Sequence, residues 1–259
     1  MAVATAASDA ARPDAAASRR AELLARLEEV LDPELDRSVV EMGFIQELHE
    51  AGGEVTVAFR LPTHWCAAAF AFLMASDMQA ALEALPWVTR AEVRLLDHFA
   101  AGRINRAIAG RGGLTEAFPD EPGGDLGALR RRFAEKAFLG RQERVLRALI
   151  AAAGAEAALR LTLAELEALA QRETPFRADA LRYVAIRRRL GGPTDPNAAA
   201  FTDLDGVPVT PDCCTAHLRA ARRARSAAEA NAEHCRLLIE ARRIAPAPED
   251  RTSPSGLYE

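Results

Sequence analysis

The apolar positions of this chain change period several times before residue 100 and keep a helical period after residue 125. Leu23, Leu24, Leu27, Val30 and Leu31 recur at three- and four-residue spacing, which makes one stripe on a helix that Pro33 stops. In "GFIQELHEAGGEVTVAFRL" the residues Val55, Val57, Phe59 and Leu61 alternate with polar neighbours, and Ala51, Gly52 and Gly53 form a turn, so a hairpin is expected. The run from Trp65 to Leu85 starts apolar on most faces and becomes amphipathic, as a helix laid across a sheet would, and Pro86 marks its exit. Ala91, Val93 and Leu95 then alternate with Arg90, Glu92 and Arg94, a third strand with one solvated face. The first hundred residues read α-β-β-α-β, a small α+β unit over residues 18–97.

Residues 98–124 contain glycines and end in a proline and glycine cluster, which is linker chemistry with room for one short helix. Beyond them Asp125 to Ala153 is amphipathic, Thr162 and Glu165 form a capping box, and Thr174 with Pro175 open another helix. The stretch "GGPTDPNAAAFTDLDGVPVTPD" holds an Asp205-Gly206 turn between short apolar runs, consistent with a small hairpin. Thr210 and Pro211 start a long arginine-rich helix. Residues 125–245 are therefore expected to form a mainly α-helical second domain, with 1–17 a disordered tail and 246–259 a flexible one.

Composition narrows the classes. With 259 residues and 49% hydrophobic content the chain can bury two modest cores, and its formal net charge of −4 leaves no basic excess to recommend a nucleic-acid partner. Four cysteines, two of them adjacent, do not form a disulfide framework and point to a reducing, cytoplasmic setting. The start of the chain lacks the basic and apolar regions of a signal peptide, and Asp77 interrupts the one stretch that approaches membrane-spanning length. No membrane association is expected.

The chemistry concentrates in "RLPTHWCAAAF", residues 60–70, where Cys66 sits between a strand and an apolar helix. If Thr63 caps that helix, Cys66 falls near its third position, where the positive end of the helix dipole favours a thiolate for metal ligation or nucleophilic attack. The plainer alternative is a small buried thiol filling a gap between helix and sheet. A second feature is the "LDPELDRSVVEMGFI" stretch, in which Asp32, Pro33 and Glu34 turn the chain ahead of Gly43. By itself this is a helix stop with a local cap.

Taken in order, "VLDPELDRSVVEMGFIQEL", "VTVAFRLPTHWCAAAFAFLMASDMQAAL" and "LPWVTRAEVRLL" resemble a small metal–sulfur cluster assembly domain. That domain occurs in cytosolic and SUF-associated iron–sulfur maturation factors and in the accessory protein of phenylacetyl-CoA oxygenase. Asp32, Pro33, Glu34, Gly43, Thr63, Cys66, Leu85 and Pro86 match its pattern, over roughly residues 20–97. Ala67 stands where members usually carry proline, Glu41 and Met42 occupy the acidic step, and His64 and Trp65 replace small residues. The resemblance implies assembly or delivery of iron–sulfur clusters to a client, with Cys66 as the essential residue. Thr63, Asp32 and Glu34 are the matching positions around it, and Cys66 with Glu34 are the metal-ligand candidates. Asp32 and His64 are further oxygen and nitrogen donors to weigh. A cluster normally takes four protein ligands, so Cys66 alone does not complete one; transient binding, sharing across a homodimer, or ligands from a client would.

The second domain offers a rival. Cys213 and His217 stand four apart on one helical face, with Cys214 three before His217, and "NAEHC" adds His234 and Cys235. If residues 211–243 form one helix, His217 and Cys235 are about 27 Å apart at a rise of ~1.5 Å per residue, too far for one ion. Cys213, Cys214 and Cys235 then read as core or surface fillers. The arginines of this helix read as a solvated face paired with Glu229, Glu233 and Glu240. The reading reached from sequence is an accessory maturation factor and not a turnover enzyme, whose helical domain docks a client such as an iron-dependent oxygenase in a bacterium. Two rivals remain: a thiol enzyme with Cys66 as nucleophile and His64 as base, and a metal-free interaction module.

Overall fold

The computed structural model of the protein describes residues 12–119 and 125–244. The tails expected over 1–17 and 246–259 lie outside these except for residues 12–17, which are helical, and residues 120–124 of the expected linker also lie outside. The architecture is α+β: an N-terminal part with two small sheets, followed by a mainly helical part.

The first helix, α1 (Arg12–Glu28), buries Leu23 and Leu27, and ends before Pro33 is reached. Val30 and Leu31, expected on the same helix, instead lie just beyond it. There the chain makes a two-stranded ladder, β1 (Leu31–Asp32) with β2 (Arg37–Ser38), that the alternation of the sequence is too short to reveal. The Asp-Pro-Glu turn is the loop of this ladder. Asp32 Oδ1 accepts the backbone N–H of Glu34 and of Leu35, each at 2.9 Å.

The main sheet has the order β3 (Ile45–Ala51), β4 (Glu54–Arg60), β5 (Arg90–Leu96). The β3–β4 pair is the expected hairpin, and Gly52 and Gly53, with φ of +62° and +93°, make the two-residue turn that matches strand twist. Gly43, with φ of +70°, supplies the left-handed step that leads into β3. Helix α2 (Ala68–Glu83) crosses from β4 to β5, which makes that pair parallel, in register from Glu54 opposite Arg90 to Arg60 opposite Leu96. Phe72, Leu73, Met74, Met78 and Leu82 of α2 are buried with Val55, Val57 and Phe59 of β4 and with Val93 and Leu95 of β5. Each such side chain contributes roughly 1.5–3 kcal/mol by leaving water.

Residues 98–119, read from sequence as linker, hold α3 (Ala101–Ala109) and the short α4 (Leu114–Ala117). Ile104, Ile108 and Phe118 bury into the first core, and Asn105 bonds both backbone groups of Leu95. The glycines here end and start short helices, α3 packed on β5 and α4 on α3.

The second core is built by α5 (Leu126–Ala153), α6 (Ala155–Leu159), α7 (Leu163–Ala170), α8 (Arg177–Arg189) and the first half of α9 (Pro211–Ile244). Asp125 caps α5, and the Thr162–Glu165 capping box of α7 forms as its spacing predicts. The Asp205-Gly206 turn closes a single bridge between Thr202 and Pro208, and not a full hairpin. Inside this core Gln142 bonds Tyr183 Oη, the Thr202 carbonyl and His217 Nε2. Helix α9 is one helix of 34 residues, and it serves both cores: Ala221 and Cys214 bury in the helical part, whereas Ala232 and Ile239 bury in the first core.

Candidate functional site

The loop 61–67 joins β4 to α2 and carries the thiol singled out by sequence. Cys66 stands two residues before α2 begins, and the residue at the helix cap is Ala67, with no side-chain cap. This corrects the expectation that Thr63 caps the helix and puts Cys66 in its first turn. His64 and Trp65 turn the chain instead, with the Cys66 N–H directed at the Thr63 carbonyl, so Thr63 meets the thiol itself: its hydroxyl and Cys66 Sγ share a hydrogen bond of 3.2 Å. Cys66 is half-buried and packs against the first core.

Four contacts fix the loop. His98 Nε2 donates to the Cys66 carbonyl at 2.7 Å, and its Nδ1 accepts the Ala100 N–H at 3.2 Å, so the two bonds together specify one neutral tautomer. Burial lowers the His98 pKa; the bond to the Cys66 carbonyl opposes that, and His64 adds to it. The Phe99 N–H reaches the His64 carbonyl, and Arg242 of α9 donates to the Leu61 carbonyl at 2.8 Å while also pairing with Asp97. Asp97 has a φ of +48°, a left-handed step tolerated by aspartate that turns the chain after β5. His64 Nδ1 lies 3.5 Å from the other side of the Asp97 carboxylate. No histidine is bonded to Cys66 Sγ among the described residues; the contacts of His98 and His64 lead elsewhere.

Beside the thiol Trp65 stacks on Phe99 with centroids 5.5 Å apart, and the two are 75% and 45% exposed. The pair is a flat apolar patch at the edge of the loop.

The second half of α9 brings in a residue that sequence reasoning set aside. Cys235 is half-buried against the same core as Cys66. Burial pushes its thiol up to about 11, and the negative charges of Asp32, Cys66 and Glu34 add to that push. Asp32 is 7% exposed, and burial raises its carboxyl to about 6 against the opposing effect of the two N–H bonds it accepts from Leu35 and Glu34. Glu34 accepts a long hydrogen bond from Asn231 of α9 at 3.4 Å. The turn that carries Asp32 and Glu34 and the loop that carries Thr63 and Cys66 are thus both contacted by α9. Asn231 and Arg242, which make these contacts, come almost two hundred residues later in the chain. The one hint of this in the sequence is the apolar pair Ala232 and Ile239, seven apart, which gives the second half of α9 a buried face of its own.

Among the described residues no group of three or more histidine, cysteine, aspartate or glutamate side chains is placed to hold a metal ion. Cys213 is exposed at the start of α9, where the Thr210 side chain and backbone lower its pKa; Cys214 is buried in the second core. His217 bonds Gln142 and not a thiol. Arg236 pairs with Glu233 and Glu240 on an exposed face, as expected of this helix, whereas Arg225 turns inward and pairs with Glu229 and with the buried Glu143 of α5. No helix of the described residues is long and apolar enough to cross a membrane.

No curated protein and no solved structure matches the chain. Residues 20–93, from within α1 to the middle of β5, match the model of a family described as iron-sulfur cluster assembly protein, a span that includes Asp32, Glu34, Thr63 and Cys66. Over that span the chain carries an iron–sulfur cluster assembly domain.

Proposed function

We propose that the protein is an accessory maturation factor, not a turnover enzyme, and that Cys66 is the thiol through which it handles iron–sulfur cargo for a client metalloenzyme. The observation that supports this most is the setting of Cys66 within the matched segment. It is a half-buried thiol bonded by Thr63, on a loop held by His98 and Arg242, without a histidine at the sulfur to act as a base. A nucleophilic enzyme needs a base within hydrogen-bond reach of its nucleophile. A cargo thiol needs a fixed position and open coordination beside it. The ligand count of a cluster is then completed by the client, by a second copy of the chain or by other groups near Cys66. By the resemblance, the client is a metalloenzyme of the multicomponent oxygenase kind, and the helical part is the client-binding part, in a cytoplasmic setting.

A test is transfer. The chain, reconstituted anaerobically with iron and sulfide, is mixed with an excess of an apo iron–sulfur protein, and the acceptor is re-isolated. Cluster in the acceptor, gained from wild type and not from Cys66→Ser, supports the reading. Acceptor loading at the same rate from free iron and sulfide without the chain counts against it. A second reading, a metal-free docking module, is favoured by the exposed Trp65–Phe99 stack. Equal client activation by wild type and Cys66→Ser would favour that module.

A further inference from the structure

The cargo reading leaves a thiol unexplained. Cys235 lies outside the matched segment, yet it faces that segment, and hydrogen bonds on both sides hold it there. Asn231, Cys235 and Arg242 fall within about 40° of one another around α9, so they share one face. Along the helix axis Cys235 is about 6 Å from Asn231 and about 10 Å from Arg242. Asn231 is bonded to Glu34 in the Asp-Pro-Glu turn, and Arg242 to Leu61 and Asp97, which bracket the Cys66 loop. Cys235 therefore sits over the gap between that turn and that loop, and Ala232 and Ile239 seat the same stretch of helix in the core beneath.

We propose that Cys235 is a second thiolate ligand for soft-metal or iron–sulfur cargo at Cys66, so that the cargo is held between the cluster assembly domain and the last helix. This rests on the cargo reading of Cys66 and adds the donor that reading lacks. Two sulfurs from different parts of the fold suit a thiophilic cation, and Glu34, bonded to Asn231 one turn before Cys235, supplies negative charge on that side. The remaining coordination positions stay open to sulfide, water or a client's ligands, as a donor that must release its cargo requires. Release then follows from movement of α9, because Cys235 leaves with the helix.

The experiment is an anaerobic titration of the full, metal-free chain with Co2+ alone, read by the thiolate-to-cobalt charge-transfer absorption and by the dissociation constant. The variants are Cys66→Ser, Cys235→Ser, Cys235→His and Cys213→Ser, each checked for fold by circular dichroism. Cys235→Ser should lower the absorption to about half, as one of two thiolates is lost, and weaken binding at least ~10-fold. Cys235→His should recover affinity without recovering the absorption, because imidazole replaces the thiolate; a purely structural role would give no such recovery. Cys213→Ser should change nothing. If Cys235→Ser matches wild type in both readouts while Cys66→Ser abolishes them, the second ligand is wrong and the cargo reading stands. If Cys66→Ser also matches wild type, or wild type gives no thiolate absorption, both are wrong.

Discussion

At the scale of single residues, the site is a set of side chains whose roles differ from what their types advertise. Asp32 has the look of a ligand in a short acidic turn, yet its Oδ1 is used by two backbone N–H groups and the residue is buried. Burial raises its carboxyl from the ordinary range to about 6, so the folded protein holds a proton that the unfolded chain has lost. The sign follows: the stability this group contributes is fully present below the unfolded pKa and is lost as pH rises through about 6. Asp32→Asn keeps an oxygen for both N–H groups and removes the charge. In metal-free protein it should be more stable than wild type at pH 7.5, by on the order of 2 kcal/mol, and no more stable at pH 4. Urea unfolding at the two pH values measures this, and a difference that does not change with pH would refute it. His98 is likewise a positioning residue: its two bonds hold the Cys66 carbonyl and the Ala100 N–H, and neither touches the sulfur.

At the scale of elements, α9 decides what surrounds Cys66. Its second half is attached to the cluster assembly domain by the Arg242 contacts, the Asn231–Glu34 bond and the burial of Ala232 and Ile239. Replacing Arg242 by alanine removes both the bond to the Leu61 carbonyl and the pairing with Asp97. Amides after Ala232 should then exchange with deuterium at least about tenfold faster, while those of α5 and α8 keep their protection. Unchanged exchange after Ala232 would show that α9 is held by packing alone. The sequence made the α-β-β-α-β order and the long last helix legible, because period-2 and period-3.6 patterns and their Gly and Pro boundaries are local signals. It did not make β1 and β2 legible, since two residues cannot show a period. Nor did it show that α3 packs on β5 and α4 on α3, where their glycines resemble linker chemistry. Thr63 illustrates a different limit: its type and position fit a helix cap, but the turn from Thr63 to Cys66 delays the helix to Ala68 and leaves the threonine hydroxyl to the thiol. Cys66 itself was legible from its family pattern, whereas the packing of Cys235 against the same core was not, because the return of α9 to the first core is tertiary and leaves no local trace.

At the scale of the molecule, the two cores are coupled by more than the shared helix. Arg141 of α5 is 11% exposed at its side chain and pairs with Asp36 of the β1–β2 loop at 2.5 Å and with Asp179 of α8 at 2.6 Å. It also donates to the Asp36 carbonyl. Arg130 adds a two-pronged pair with Asp77 of α2. Removing the Arg141 guanidinium leaves Asp36 without its partner and Asp179 with Arg144 alone, which should cost on the order of 3 kcal/mol. Arg141→Ala should therefore lower the urea midpoint, and it should separate the unfolding of the two cores, seen as divergence between Trp65 and Trp87 fluorescence and the helical circular dichroism signal. A coincident transition with an unchanged midpoint would contradict this coupling. If the coupling holds, a change in the helical part reaches the first core through α5, the β1–β2 turn and α9.

The cargo role proposed for Cys66 rests on this thiol binding iron and sulfide within the assembly domain. Anaerobic reconstitution of the full chain with iron and sulfide, followed by absorption spectroscopy and by iron and acid-labile sulfide analysis, tests it most directly. The account predicts cluster absorption and bound iron and sulfide in wild type and their loss in Cys66→Ser of unchanged fold. Equal iron and sulfide in the two proteins, or none in either, would contradict it.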